Sequence, residues 1–315
     1  MFRKGNHYNY TAVSEDDSPD VELVSSSSHN TNSSAAQNSR QKLPFSRMWT
    51  PNVLFTFLAH GMLACHVGTF NSVFFVFMST PRYTPPSSMP SDGADPNSSL
   101  NLPEGYRPNP PWSFTGGLAL PPPKIGTALA ILGVIGVSLQ MLLYPRLSFK
   151  LGTVLSFRLA LCLFPIAYTL VPFLTLVHSS TAAPAAASGA LFWMALTAVL
   201  SVQVLARTFA LPAAAILVNN ASPHPSVLGT MHGMGQSVSS AMRTVGPLLI
   251  SWLYGKGLSR GTVGLAWWCM AVMGVLGAVA GGWVREGNGH EIRLPGDLEE
   301  VDEEEGEAAG KKTNE

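Results

Sequence analysis

Six apolar runs, at residues 52–78, 125–144, 157–177, 190–218, 227–254 and 262–284, dominate the 315-residue chain. Each is long enough to cross a bilayer as a helix, which takes about 20 residues. Barrel strands are about 10 residues long and alternate apolar with polar positions, and these runs do neither. The pattern predicts an all-α membrane protein with six transmembrane helices. The flanks differ in kind. Residues 1–46 are rich in Ser and Asn, hold no apolar core of signal-peptide type, and read as a disordered tail. Residues 286–315 read as an acidic, solvated tail. Between them lies a transmembrane domain at 47–285, interrupted by a long Pro-rich loop at 79–124.

Polar side chains are sorted among the runs. The first carries His60, His66 and Asn71, the second Gln140, and the third only Tyr168 and two threonines. The fourth carries Gln203 and Arg207; the fifth carries His232, Gln236, Ser237, Ser239, Ser240 and Arg243; the sixth has no strongly polar group. Polar groups in hydrocarbon are expensive and turn inward. The third run of each triplet is therefore free to face lipid, while the first two face protein or water. A repeated order of this kind is expected of 3+3 repeats nested in a six-helix half.

Charge sharpens the picture. Asp, Glu, Lys and Arg make up 12% of the chain, against about 25% in soluble proteins. From Tyr106 to Arg285 there is no Asp or Glu. That excludes a soluble enzyme surface, and a net charge of zero with no basic block argues against nucleic acid as a partner. The three cysteines lie in apolar runs, so neither a disulfide scaffold nor a CxxC metal pair is expected. No motif for hydrolysis or nucleotide binding occurs, so the chain does not read as an enzyme. With both termini cytoplasmic, twelve Lys and Arg fall on the inner side and five on the outer, which satisfies the positive-inside rule. The 79–124 loop is then external, and Asn97-Ser98-Ser99 is a glycosylation sequon on the accessible side. The sequons at Asn9, Asn32 and Asn220 would face the cytoplasm.

Glycine pairs predict close helix contacts: Gly229 with Gly233, Gly277 with Gly281, and Gly126, Gly133 and Gly136 in the second run. Pro165, Pro172, Pro212 and Pro247 predict kinks.

Four stretches then resemble a known family. Tyr144-Pro145-Arg146-Leu147-Ser148-Phe149-Lys150-Leu151-Gly152 resembles a degenerate copy of the inner loop that major facilitator superfamily transporters place between their second and third helices, and again between the eighth and ninth. Phe114-Thr115-Gly116-Gly117-Leu118, Asn219-Asn220-Ala221-Ser222-Pro223, and Leu228-Gly229-Thr230 through Arg243-Thr244-Val245-Gly246-Pro247 resemble a fungal branch near the drug:proton antiporter and zinc-induced-facilitator-like groups. The resemblance covers about residues 43–295 and only the C-terminal half of a twelve-span protein. It implies alternating-access transport of a small solute, without a cofactor, in the plasma membrane by default or the vacuolar membrane. The tail at 1–42 would be the former linker between halves. The partners implied are the bilayer, the solute, and a complementary six-span half or a second copy in a homodimer. Arg146, Lys150 and Gly152 would belong to an inner gate. The alternative is a non-transporting six-span fragment or scaffold.

Residues that could line a cavity follow from the polar sorting. Arg207 lies mid-run with no acid to pair with, so it is either a cavity residue or an anchor bonded to carbonyls. Gln203 precedes it by one turn on the same face. His232, Gln236, Ser240 and Arg243 recur at helical spacing and make one stripe. That stripe contacts solute or bonds to a neighbouring helix. His60 and Asn71, eleven residues apart, share a face, with His66 on another. A packing histidine is favoured over a proton relay, and no spacing suits a metal. Gln140 completes the set.

Overall fold

The computed structural model describes residues 43–86, 95–287, 291, 292 and 294. The expected disorder of residues 1–42, the sequons at Asn9 and Asn32, and the acidic run at 299–307 lie outside these. The described residues form six long helices and no strand: α1 Pro51–Ser79, α2 Pro122–Leu151, α3 Thr153–Leu176, α4 Ala190–Asn220, α5 Leu228–Ser259 and α6 Gly264–Trp283. Five of them, all but α5, are long and apolar enough to cross a membrane. The exception, at 32 residues, is as long as any of the others. Its polar stripe lowers its hydropathy.

Local chemistry sets the helix ends. The Thr50 hydroxyl caps α1 by accepting from Val53 N–H (3.4 Å), and Pro51 occupies the first turn, where its missing N–H costs nothing. The expected loop at 144–152 is helical instead. Pro145 cannot donate to the Met141 carbonyl, and α2 absorbs the defect as a π-turn over Leu139–Leu143 with Tyr144 N–H bonded to Leu139 O. The helix then runs on to Leu151. It stops at Gly152, whose φ of 75° disfavours any side chain. Pro172 acts similarly in α3, where the α-helical part ends at Leu170 and tightens into a 3₁₀ turn over Val171–Leu176.

In a bilayer, lipid tails are as apolar as leucine, so helices associate through close van der Waals packing. The central helix is α1, which packs against α4, α5 and α6. Its Phe70, Phe74 and Phe77 surround Trp267 of α6 at ring-centre distances of 6.0, 6.4 and 5.5 Å. The α1–α5 contact works by absence of side chains. A β-carbon on Gly246 would lie 2.5 Å from Thr69 Oγ1 and 2.7 Å from Cys65 Sγ. Gly277 faces Met62, and Gly281 faces Leu161 and Phe157, matching the expected close contact. Gly229 and Gly233 do not, because both face open space.

Burial is uneven. α2 buries only Ile125 and Ala128 before its π-turn and nothing after it. α5 buries one narrow line, including Met231, Gly235, Ser239, Gly246 and Ile250. α3 is two-faced: Phe157, Leu161, Phe164 and Tyr168 are buried against neighbouring helices, while Leu155, Leu159, Ile166 and Leu170 are exposed.

The described parts of the 79–124 loop tie down one end of the bundle. Arg82 donates to Thr181 O and Ala185 O, both at 3.0 Å. Val263 N–H donates to Phe114 O (2.9 Å), and Tyr106 OH to Gly261 O (2.9 Å). Asn97, the expected glycan acceptor, is 8% exposed; its amide accepts from Thr84 N–H (2.9 Å) and donates to Thr84 O (2.8 Å). In this fold its nitrogen is committed to the loop. At the opposite end, Asn52 and Arg285 exchange two bonds, Asn52 Nδ2 to Arg285 O (3.1 Å) and Arg285 N–H to Asn52 Oδ1 (2.9 Å). Leu43 and Leu294, within the segments read as tails, are buried there in a small cluster with Val218 and Val227.

A Gly246→Val substitution is expected to cost about 1–3 kcal/mol or more by overpacking the α1–α5 contact, while Gly233→Val is close to neutral. Thermal unfolding of the two purified variants in detergent checks the contrast.

Candidate functional site

Two arginines define the site. Arg207 lies about 20 Å of helix from the Asn220 end of α4 at a rise of ~1.5 Å per residue. A guanidinium at that depth costs several kcal/mol without a partner. Its Nη1 donates to Asn71 Oδ1 of α1 at 3.4 Å, a long bond. Arg243 of α5 lays its stem over Gly68 of α1, with its Cγ 3.2 Å from where a β-carbon would sit. Gly68 and Asn71 are one turn apart on α1, so the Arg207 guanidinium and the Arg243 stem meet neighbouring positions of one helix. The chain offers neither arginine a carboxylate inside the helices, since none occurs from Tyr106 to Arg285.

The other expected residues divide. His232, Gln236, Ser240 and Arg243 share one exposed face of α5, as their spacing requires. His232 Nε2 bonds to Asn219 Oδ1 at the end of α4 (3.0 Å). Asn71 is exposed and Arg207 half-buried. Gln203 is fully buried, with neither amide atom bonded. His60 is half-buried, and its buried Nδ1 has no partner. Gln140 is exposed in the π-turn of α2, between two points where that helix meets α4: Gly136 against Val204, and Tyr144 against Phe209. Arg146, Lys150 and Gly152 are exposed at the end of α2.

One polar pair was not foreseen. His66 Nδ1 and Tyr168 OH are 2.9 Å apart and both side chains are wholly buried, joining α1 to α3. Spacing within one run could not reveal it; the signal was two lone hydrogen-bonding rings at similar depth in separate oily runs. Arg158, read as a topology charge, also bonds, capping the end of α6 through Gly281 O (3.3 Å) and Val284 O (2.8 Å).

A concavity of about 410 Å³ lies in the described part of the 79–124 loop, lined by Tyr83, Asp95, Asn97, Glu104 and Tyr106 among others. Burial pushes the Tyr106 phenol up, Tyr83 adds to the rise, and a hydrogen bond with Ser113 opposes it. Burial pulls the Arg82 guanidinium down, against two carbonyl partners that hold it in place. Among the described residues, no group of three His, Cys, Asp or Glu side chains could hold a metal ion.

Comparison with known proteins bears directly on this arrangement. The major facilitator superfamily multidrug transporter mfsB of Aspergillus fumigatus is 34% identical over 240 residues, which is 76% of this chain and 35% of that protein. This chain is homologous to part of a major facilitator superfamily transporter. The chain spans about a third of that relative's length. No family model and no solved structure matches it. The homology and the apolar helices together make it an all-α integral membrane protein.

Tyr168→Phe is expected to cost about 1 kcal/mol, the scale of an interhelical bond in a membrane. His66→Leu with Tyr168→Phe should cost less than the sum of the single changes, because no buried partner is left stranded. A double-mutant cycle on unfolding free energy measures the coupling.

Proposed function

We propose that the chain is the C-terminal six-span half of a major facilitator superfamily transporter that moves a small solute by alternating access. One observation carries this reading: the polar stripe of α5 is exposed, although it runs directly beside the line of that helix that is buried in the bundle. A row of His232, Gln236, Ser240 and Arg243 facing hydrocarbon would be very costly, so it needs water or protein. A solute pathway against a complementary six-span half supplies both. In this reading α5 spans the membrane like the other five, and the six are two three-helix repeats. α1, α2, α4 and α5 border the pathway, with Arg207, Arg243, Gln236, His232, Ser240, Gln203, Gln140, His60 and Asn71 as its candidates.

Alternating access asks one half to rock against the other, and α2 and α5 offer the faces for it. Both bury little within this chain. Arg146, Lys150 and Gly152 sit at the end of α2 as the inner gate, with both termini cytoplasmic and the plasma membrane as the default location. A carboxylate proton carrier would come from the complementary half, because the helices here hold none.

In the intact transporter, Arg207→Ala is expected to lower the transport rate at least tenfold, the order of a lost charge-assisted bond. Radiolabelled or fluorescent solute flux in proteoliposomes measures it. Single cysteines at Gln236 and Ser240, in a background without Cys65, Cys162 and Cys269, should react with a membrane-impermeant maleimide. Cysteines at Leu159 and Val279 should not. Equal protection at all four positions would leave no aqueous pathway.

A further inference from the structure

Gln203 and Arg207 are one turn apart on one face of α4. Gln203 is fully buried, yet neither its amide oxygen nor its amide nitrogen has a partner among the described residues. A desolvated amide without a partner is costly. Arg207 has the reverse imbalance. Its bond to Asn71 Oδ1 is long, at 3.4 Å, and uses one N–H of a guanidinium that carries several. Asn71 is exposed and Arg207 half-buried, so that bond holds the charge toward the open side of the bundle. The buried side is also within reach of the charge. It acts on Tyr168 of α3, whose hydroxyl is already bonded to His66 Nδ1 at 2.9 Å. An acceptor short of a donor and a cation short of acceptors thus share one helix face, the first inside the bundle and the second at its edge.

Side chains four residues apart on a helix are neighbours, and long ones lean toward the helix N-terminus. The Arg207 side chain therefore leans over the turn that holds Gln203. We infer that Arg207 has two seats: one on Asn71, facing the open side, and one on the Gln203 amide oxygen, inside the bundle. The amide is out of water in either seat and loses no hydration when it accepts, while the guanidinium gives up water on going in. These opposing terms set the two seats against each other. A solute that bonds only the exposed guanidinium draws the balance outward, because a ligand shifts an equilibrium by its differential affinity. Withdrawal onto Gln203 removes the charge from the pathway, so Arg207 presents its charge in one state and hides it in the other. Gln203 is then a positioning residue that acts through Arg207. Its consequence for transport rests on the alternating-access reading; the two seats themselves do not.

Phenylglyoxal modifies accessible guanidinium groups, and its rate of addition at Arg207 can be followed by peptide mass spectrometry on the full natural chain in detergent. Asn71→Ala removes the exposed seat and is expected to slow Arg207 labelling several-fold, as the guanidinium retires to Gln203. Gln203→Leu removes the buried seat and should speed it. Asn71→Ala combined with Gln203→Leu should label as fast as Gln203→Leu alone. Gln203→Glu, a stronger acceptor at the same place, should slow labelling as Asn71→Ala does. Asn71→Val and Gln203→Met serve in the same roles where either first variant fails to fold. Labelling that is unchanged or faster in Asn71→Ala overturns the inference, because a guanidinium with one seat enters water when it loses it; the partner of Gln203 is then a buried water. Slowed labelling that survives Gln203→Leu overturns it as well, and so does an Arg207 that labels in none of these proteins. The labelling needs no solute. Failure of the transporter reading shows separately, as equal protection of the cysteines at Gln236, Ser240, Leu159 and Val279, and leaves the two-seat result standing.

Discussion

Polar groups inside hydrocarbon must find partners, and that requirement organises this molecule. The helices spend it in three ways. His66 and Tyr168 meet each other between α1 and α3 and seal a polar pair inside an aromatic cluster. Arg158 satisfies the last carbonyls of α6. Arg207, Arg243, Gln236 and Ser240 are left with little or nothing from this chain, and they share the open side of the bundle. The first two solutions belong to folding. The third is a demand for something outside the described residues.

Packing obeys a different rule. With no water to drive apolar surfaces together, contact area is gained by bringing backbones close. α1 and α5 meet where Gly61, Gly68, Gly235 and Gly246 leave no side chain, and α6 meets α1 at Gly277 and α3 at Gly281. The glycine-lined seam that lets α5 lie against α1 runs beside the polar stripe of α5, with Gln236 and Ser240 each one residue past the buried Gly235 and Ser239. Arg243 lays its stem on Gly68 at that border, which links the packing of the bundle to the placement of Arg243.

The end of the bundle carrying the 79–124 loop is reinforced by a web of backbone bonds. Phe114, Leu118 and Arg82 reach the α3–α4 and α5–α6 connections. Asn97 shows how context overrides a motif. A three-residue sequon says nothing about whether its amide is free, and here the amide pairs with both backbone groups of Thr84.

Much of this was legible in the chain before any coordinates. Six apolar runs correspond to six helices, α2 running on seven residues and α5 five past the expected end, because the length of a membrane helix is set by the thickness it must cross. The stripe from His232 to Arg243 fell on one face because helical spacing is local. Other features required the tertiary structure. Pro145 read as the start of a loop, yet α2 absorbed it in a π-turn, since the missing hydrogen bond could be redistributed within the helix. Gly229 and Gly233 had the spacing of a packing motif but face open space, while Gly246, in no such pair, carries the contact: which face of a helix meets a neighbour depends on the neighbour. His66 and Tyr168 are 102 residues apart, and Arg207 and Arg243 meet α1 from two different helices. Sequence periodicity fixes where a side chain points on its own helix; only the packing of several helices decides what it meets.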